Sequence, residues 1–563
     1  MTSIKKYSLL LLSFLLLLGC QINNIETTIN DDNSNRKTLD LKDIEIAAPY
    51  TTIEQHEDAF YILYHLLSND YYNGNILSID LIADILAGDI YKGGANASDI
   101  ADFFEFQKHT INVYNSTLKA IWEKKYDGIR VANALLSNFN DELFPENLQQ
   151  EKEYYKAEAR ALRAHFYFEL ARFFERPPII PAGKFEGYNY TQPTEVELYS
   201  FIASELFEVS DQMRKHQDDF GRLGKYSVLA ELVKVYVFYT GVYKDESLTL
   251  KDGIILNRNK VINIIEEIIQ QSGTSLSPNF EELFQSSLGK NNFNQEVIFE
   301  IVHDKKPHLN WSGYEIGNLK SQMTGPVGYF NSESSINWGW GFGIPTRKLY
   351  DSFDENDKRL NSTIITAKKL IDDLKGDESY PLSYSFNHTG LYNYKYTTHK
   401  KSDGSGGYIE SLELHYDQNY HYIRLADIYL IGAELYLAEG NQAKATEYVN
   451  IIRQRAGLYS KSTVTFDDIV EERYHELAIE GHRYFDLMRW GSNFLNEITV
   501  SSYTLYESKH HDSKYFLYGK NLTGDIGVEA DFETTFYAPS RGFLPIPQDI
   551  IDQSNNLVQN QGY

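Results

Sequence analysis

One local pattern recurs through the chain: apolar residues at three- and four-residue steps, in runs of helical length separated by short polar turns. Phe60 is followed by Leu63, Leu66 and Leu67, and Ile121, Ile129 and Leu135 mark a second amphipathic stretch. Over 153–174, Ala157, Ala161, Ala164, Phe168 and Ala171 line one side, small enough to let another helix approach, until Arg176-Pro177-Pro178 ends the run. Thr194 and Glu197 spell a capping box for a helix to about Lys215. Further helices are predicted over 225–243 and 257–271, and a last pair, 423–438 and 442–456, flanks Glu439-Gly440-Asn441. Helices of this kind bury their apolar faces only against one another, which restricts the chain to stacked helix pairs.

In the last pair, Ala433, Tyr436, Gly440 and Ala445 resemble the tetratricopeptide arrangement of small and aromatic residues at a helix crossing. The predicted fold is therefore mainly α, a tetratricopeptide-like helical-repeat scaffold (an α-solenoid). Between 272 and 419 the texture changes. Gly, Pro, Asn, Ser and aromatic residues crowd runs such as Asn337-Trp338-Gly339-Trp340-Gly341-Phe342-Gly343, with short β-like segments at 296–302 and 392–396. Long ordered loops inside a helical body point to function. The chain accordingly divides into an N-terminal helical-repeat part at 41–271, a loop-rich ligand-binding insertion at 272–419, and a C-terminal helical-repeat part at 420–563.

The first forty residues carry an address. Lys5 and Lys6 precede a leucine-rich run too short to span a bilayer, which describes a secretory signal over 1–19. Leu17-Leu18-Gly19-Cys20 is similar to a bacterial lipobox, which predicts lipidation of Cys20, the only cysteine of the 563 residues. Two or more acyl chains at about 0.8 kcal/mol per buried methylene hold a protein stably on a membrane. Residues 20–40, rich in Asn, Asp, Thr and Ser, read as a flexible tether.

Charge and motif content exclude several classes. The formal net charge of −26 argues against a nucleic-acid partner, and a single cysteine against a disulfide framework. No phosphate-cradling Gly-x-x-x-x-Gly-Lys-Ser/Thr loop occurs, and Asp403-Gly404-Ser405-Gly406-Gly407 lacks the spacing of a nucleophile elbow. His475-Glu476 opens like a zinc-protease helix, but Ile479 stands where the second ligand belongs. The charges around it suit one helix with a salt-bridged edge: Arg473, Glu476, Glu480 and Arg483 follow at three- and four-residue steps, and Gly481 permits close packing on another face. His510-His511-Asp512 reads as an exposed polar loop. No metal, cofactor or catalytic residue is expected.

Several segments, in order, resemble the SusD/RagB family of outer-membrane nutrient-binding lipoproteins. They are the Cys20 lipobox, Glu158-Ala159-Arg160-Ala161-Leu162-Arg163-Ala164, Pro345-Thr346 with Asp357-Lys358-Arg359, and Ile423-Arg424-Leu425-Ala426-Asp427. The strongest runs from Glu471-Glu472-Arg473 through Glu480-Gly481-His482-Arg483-Tyr484-Phe485-Asp486 to Gly491, and Leu544-Pro545-Ile546-Pro547 closes the series. The resemblance implies a lipid-anchored, outward-facing, non-catalytic protein that captures a glycan and passes it to a SusC-like TonB-dependent transporter. A peptide-binding member of the family and a surface glycosidase are the alternatives, with a pure protein-interaction scaffold as a third.

A sugar offers apolar C–H faces and hydroxyl edges, so its site needs flat aromatics beside polar groups. Of five tryptophans, Trp311, Trp338 and Trp340 fall in the insertion, near Tyr314 and Tyr329. In an extended segment Trp338 and Trp340 face the same side, either as a stacking platform or as packing against the helices. A second candidate lies in the N-terminal loops, at Asp70, Tyr72 and Tyr91. Trp122 and Trp490 are assigned to the core.

Overall fold

The computed structural model describes residues 49–501 and 538–563, apart from 183–186, 218–220, 286–293, 304–316, 330, 332, 374–384, 403–407, 410–412 and 415. Cys20, Trp311, Tyr314, the Asp403–Gly407 turn and His510-His511-Asp512 therefore lie outside the described residues.

Consecutive helices pack on their chain neighbours. Ile53–Ser68 lies on Ser116–Ser137, which lies on Gln149–Phe174, then Glu195–Val209, Lys225–Tyr243 and Arg258–Gln271. The next helix in the stack is Leu425–Ala438, paired with Gln442–Arg455, so the array resumes where the insertion ends. This nearest-neighbour stacking is the helical-repeat architecture the periodicity predicts. Thr194 forms its capping box with Glu197, although the helix ends at Val209 and only a short 3-10 turn follows. In the last pair Ala433 and Ala445 are buried, and the Tyr436 hydroxyl donates to Glu266 at 2.7 Å, tying the pair to the preceding helix. Ile423 belongs to a strand rather than to the helix predicted from it.

That strand closes the insertion's neck. Tyr420–Arg424 pairs antiparallel with Val297–Ile301, so departing and returning chains run side by side. Within the insertion lie short helices, among them Leu319–Thr324 and Arg347–Ser352, and strands Phe342–Pro345, Ile364–Thr366 and Leu391–Asn393.

The Glu471–Gly491 block differs from its predicted form. The helix Phe466–Glu476 stops, Ile479 and Gly481 take left-handed φ values of 62° and 76°, and a new helix spans Arg483–Trp490. The charged side chains do not pair along an exposed helix edge but across the interior. Arg424 holds Glu296, Glu476 and Glu480 at 2.6–2.9 Å; Lys395 holds Glu480 at 2.7 Å; and Arg473 binds Asp427 and Asp486. Arg359 reaches Asp357, Glu472 and Glu476. Arg359, Lys395, Arg424, Glu476 and Glu480 are all fully buried. Two of these cations, Arg359 and Lys395, belong to the insertion, so buried ion pairs fasten it to the scaffold. Trp122 is in the core as predicted; Trp490 is only half-buried, packed edge-on against Phe466.

Candidate functional site

Strand Phe342–Pro345 pairs with Ile90–Gly93 of the N-terminal part, Tyr91 opposite Ile344 and Gly93 opposite Phe342. Just before it, residues 337–341 run as a ribbon over the exit of helix Leu319–Thr324. Four of its five backbone amides are engaged: Asn337 donates to the Thr398 carbonyl, Gly339 to Pro326, Trp340 to Gln322 and Gly341 to Gly325, at 2.9–3.0 Å. The glycines make this approach possible. A β-carbon on Gly339 would lie 2.5 Å from Gly325 Cα; one on Gly341, at φ 68°, would strike Ser385 Oγ, while the Gly341 carbonyl accepts from Gly94 N–H at 2.8 Å. Asn337, Gly339 and Gly341 are buried, whereas Trp338 and Trp340 are half-buried, the alternation that an extended ribbon with one solvent-facing side produces.

Trp340 is fixed at its polar edge. Its indole Nε1–H donates to Glu413 Oε1 at 2.9 Å, and Glu413 is exposed. The next residue, Leu414, donates its amide to Gln322 Oε1 at 3.2 Å, while the Gln322 backbone carbonyl accepts from Trp340. Buried Gln322 therefore sets both segments that carry the platform, the ribbon and the stretch around Glu413. Neither Glu413 nor Gln322 was marked by sequence. Both act through contacts 73 and 92 residues apart along the chain, which leave no local pattern.

The other candidates have different surroundings. Tyr91 and Tyr329 are buried in one apolar cluster with Ile336, Ile344 and Tyr392. They back the ribbon region and face no solvent, because the strand register turns Tyr91 inward beside Ile344. Tyr72 lies in the hairpin Tyr71–Tyr72/Asn75–Ile76, its hydroxyl donating to Asp127. Burial and the Asp127 charge push that phenol far above its usual range. No contact joins Tyr72 to the tryptophans among the described residues.

Asp70 lines a partly open cavity of about 50 Å³ with Asp80, Lys124, His303 and Lys320. Burial raises Asp70 to about 6 against the pull of Lys124, lowers Lys124 to about 7 and lowers His303 to about 4. At about 10–15 Å³ per water this space holds a few waters, far below the roughly 300 Å³ of a small-ligand pocket. Among the described residues no group of three or more metal-ligating side chains is assembled.

Lys92 lies beside the ribbon strand, 5.4 Å from the Phe342 ring and 5.5 Å from Phe386. Its ammonium is spent on the carbonyls of Gly93 and Asn96, at 3.2 and 2.7 Å, and burial lowers it to about 8.

A helical-repeat body that carries an insertion fastened by buried ion pairs defines a helical-repeat scaffold protein. The profile of the SusD family matches residues 295–563, and a second profile, starch-binding associating with outer membrane, matches 80–237. The chain belongs to the SusD family. It is 28% identical over 457 residues to a SusD-like protein of Bacteroides ovatus, covering 78% of this chain and 76% of the relative. It is 24% identical to the starch-binding protein SusD of Bacteroides thetaiotaomicron, over 72% of each. Among solved structures, a laminarin binding SusD-like protein superposes with a TM-score of 0.70 at 26% identity, over 91% of this chain and 100% of the other. Surface glycan-binding protein A from Bacteroides thetaiotaomicron in complex with laminarihexaose gives 0.72 at 23% identity with the same coverage, a likeness of fold.

Proposed function

We propose that the protein is a cell-surface, lipid-anchored binder that captures a polysaccharide or oligosaccharide and hands it, uncleaved, to a SusC-like TonB-dependent transporter in the outer membrane. The observation that carries this reading is the Trp338–Trp340 ribbon: two half-buried tryptophans alternating with buried glycines, on a backbone bonded through the amides of Asn337, Gly339, Trp340 and Gly341. Rigid, amphipathic rings lose little entropy on binding and match the alternating C–H and hydroxyl character of a sugar. Anchoring through Cys20 fits the absence, among the described residues, of any helix long and apolar enough to cross a membrane. Membership of the SusD family and the glycan-binding names of its relatives point the same way.

The glycosidase alternative needs a second carboxyl group across the bound bond. Glu413 is engaged by the Trp340 indole, and the length of the recovered ligand decides whether any carboxylate pair cleaves it. Binding of a panel of neutral oligosaccharides by calorimetry, with chromatography of the ligand afterwards, tests the proposal. Trp338→Ala and Trp340→Ala are each expected to weaken retention about tenfold or more, and the recovered sugar is expected at its original length. Unchanged affinity in both variants removes the site assignment; shortened products remove the non-catalytic reading.

A further inference from the structure

Resting on that reading, we infer that the platform selects neutral glycans and disfavours those carrying uronate or sulfate groups, with Glu413 the residue that sets the preference. Glu413 is exposed, and its carboxylate lies at the edge of the Trp340 ring, 2.9 Å from Nε1. A sugar stacked on that ring brings its substituents alongside this charge. Asp99 adds a second carboxylate on the loop that meets the ribbon at Gly94, where its Oδ2 accepts from the Ala95 amide at 2.8 Å.

Cations that could receive an acidic sugar are committed elsewhere among the described residues of the surrounding segments. Lys92 is buried under Phe342 and Phe386 on two backbone carbonyls. Lys320, on the helix beneath the ribbon, is held by Asp80 inside the protein. Lys400 is buried and donates to the Asn331 carbonyl at 2.7 Å, and Lys401 is paired with Asp417. The protein's net charge of −26 adds a general repulsion. Among the described residues an anionic glycan would therefore meet a carboxylate without a matching cation, which is how a site rejects one ligand class while stacking serves another. Glu413 also orients Trp340, so its charge and its acceptor oxygen are separable functions: Glu413→Gln keeps an oxygen for the indole N–H and removes only the charge.

The test compares the full mature chain and its E413Q variant by calorimetry against neutral hexaoses (laminarihexaose and maltohexaose) and a hexagalacturonate, at low and high salt. The wild-type protein is expected to hold at least one neutral probe about tenfold more tightly than the uronate, with little salt dependence on the neutral ligand. E413Q is expected to shift the ratio of neutral to uronate affinity about fivefold toward the uronate at low salt, a shift that high salt removes. Wild-type binding of the uronate as tightly as any neutral hexaose, or an unchanged preference in E413Q, overturns the inference while leaving the glycan reading in place. Retention of neither class by the wild-type protein overturns both.

Discussion

Gly481 has a φ of 76°, and its amide donates to Asp84 Oδ1 at 2.8 Å. A β-carbon at this position would lie 2.6 Å from Asp80 Cβ and 2.7 Å from Asp80 Cα, contacts that only a backbone shift can relieve. Gly481→Ala is expected to lower unfolding free energy by about 2–4 kcal/mol, the sum of left-handed strain and overpacking, read from urea midpoints. A loss below about 0.5 kcal/mol would mean that the junction yields freely. The sequence marks this glycine as a place of close approach, yet not what approaches, since Asp80 is four hundred residues away along the chain. The aromatic residues divide in the same way. Alternation with glycine matches the burial of the ribbon, where Trp338 and Trp340 are half-buried between buried neighbours. Tyr91 and Tyr329 read as equally good ring donors, but strand register and cluster packing, set by distant partners, turn them inward.

At the scale of elements, the helix interrupted between Glu476 and Arg483 was the least legible feature. Its charge spacing suits an unbroken helix, and no proline or polar run marks the turn at Ile479. The reversal delivers Glu480 between Arg424 and Lys395, a tertiary gain that overrides local propensity. These charges are fully buried, so removing one partner leaves the others short of compensation. Arg424→Met takes away the cation that Glu296, Glu476 and Glu480 share, leaving three buried carboxylates to Arg359, Lys395 and Arg455, and is expected to cost about 3–5 kcal/mol in chemical unfolding. Lys368→Ala, which breaks an exposed pair with Asp372 whose side chains are both 53% accessible, is expected to change stability by less than about 1 kcal/mol. Equal costs for the two variants would refute the view that burial, rather than the number of ion pairs, holds the insertion on the scaffold.

Across the whole molecule, helix periodicity made the stack legible on both sides of residues 272–419. That is why the resumption of the array, Leu425–Ala438 on Arg258–Gln271, follows from the sequence while the folding of the insertion between them does not. The same assembly buries carboxyl groups in two opposite electrostatic states, and their balance shapes stability against pH. Burial disfavours the charge on Glu480, but Arg424 and Lys395 override it and hold the group down at about 2, so its contribution is present above the ordinary carboxyl range and fades as pH falls toward 2. Asp84 behaves in reverse: burial outweighs Lys320 and raises it to about 8. Between about pH 4 and pH 8 the folded protein keeps a proton on Asp84 that the unfolded chain releases, so this group's contribution declines as pH rises, by up to about 1.4 kcal/mol per pH unit. Asp84→Asn preserves an acceptor for the Gly481 amide and abolishes the titration. Relative to the wild type, the variant is therefore expected to gain up to about 4 kcal/mol between about pH 5 and pH 8 in urea unfolding, whatever its offset at the lower pH. A difference that stays constant over that range would place a charged Asp84 beside Lys320 in the folded state, and with it one more ion pair fixing the insertion to the N-terminal helices.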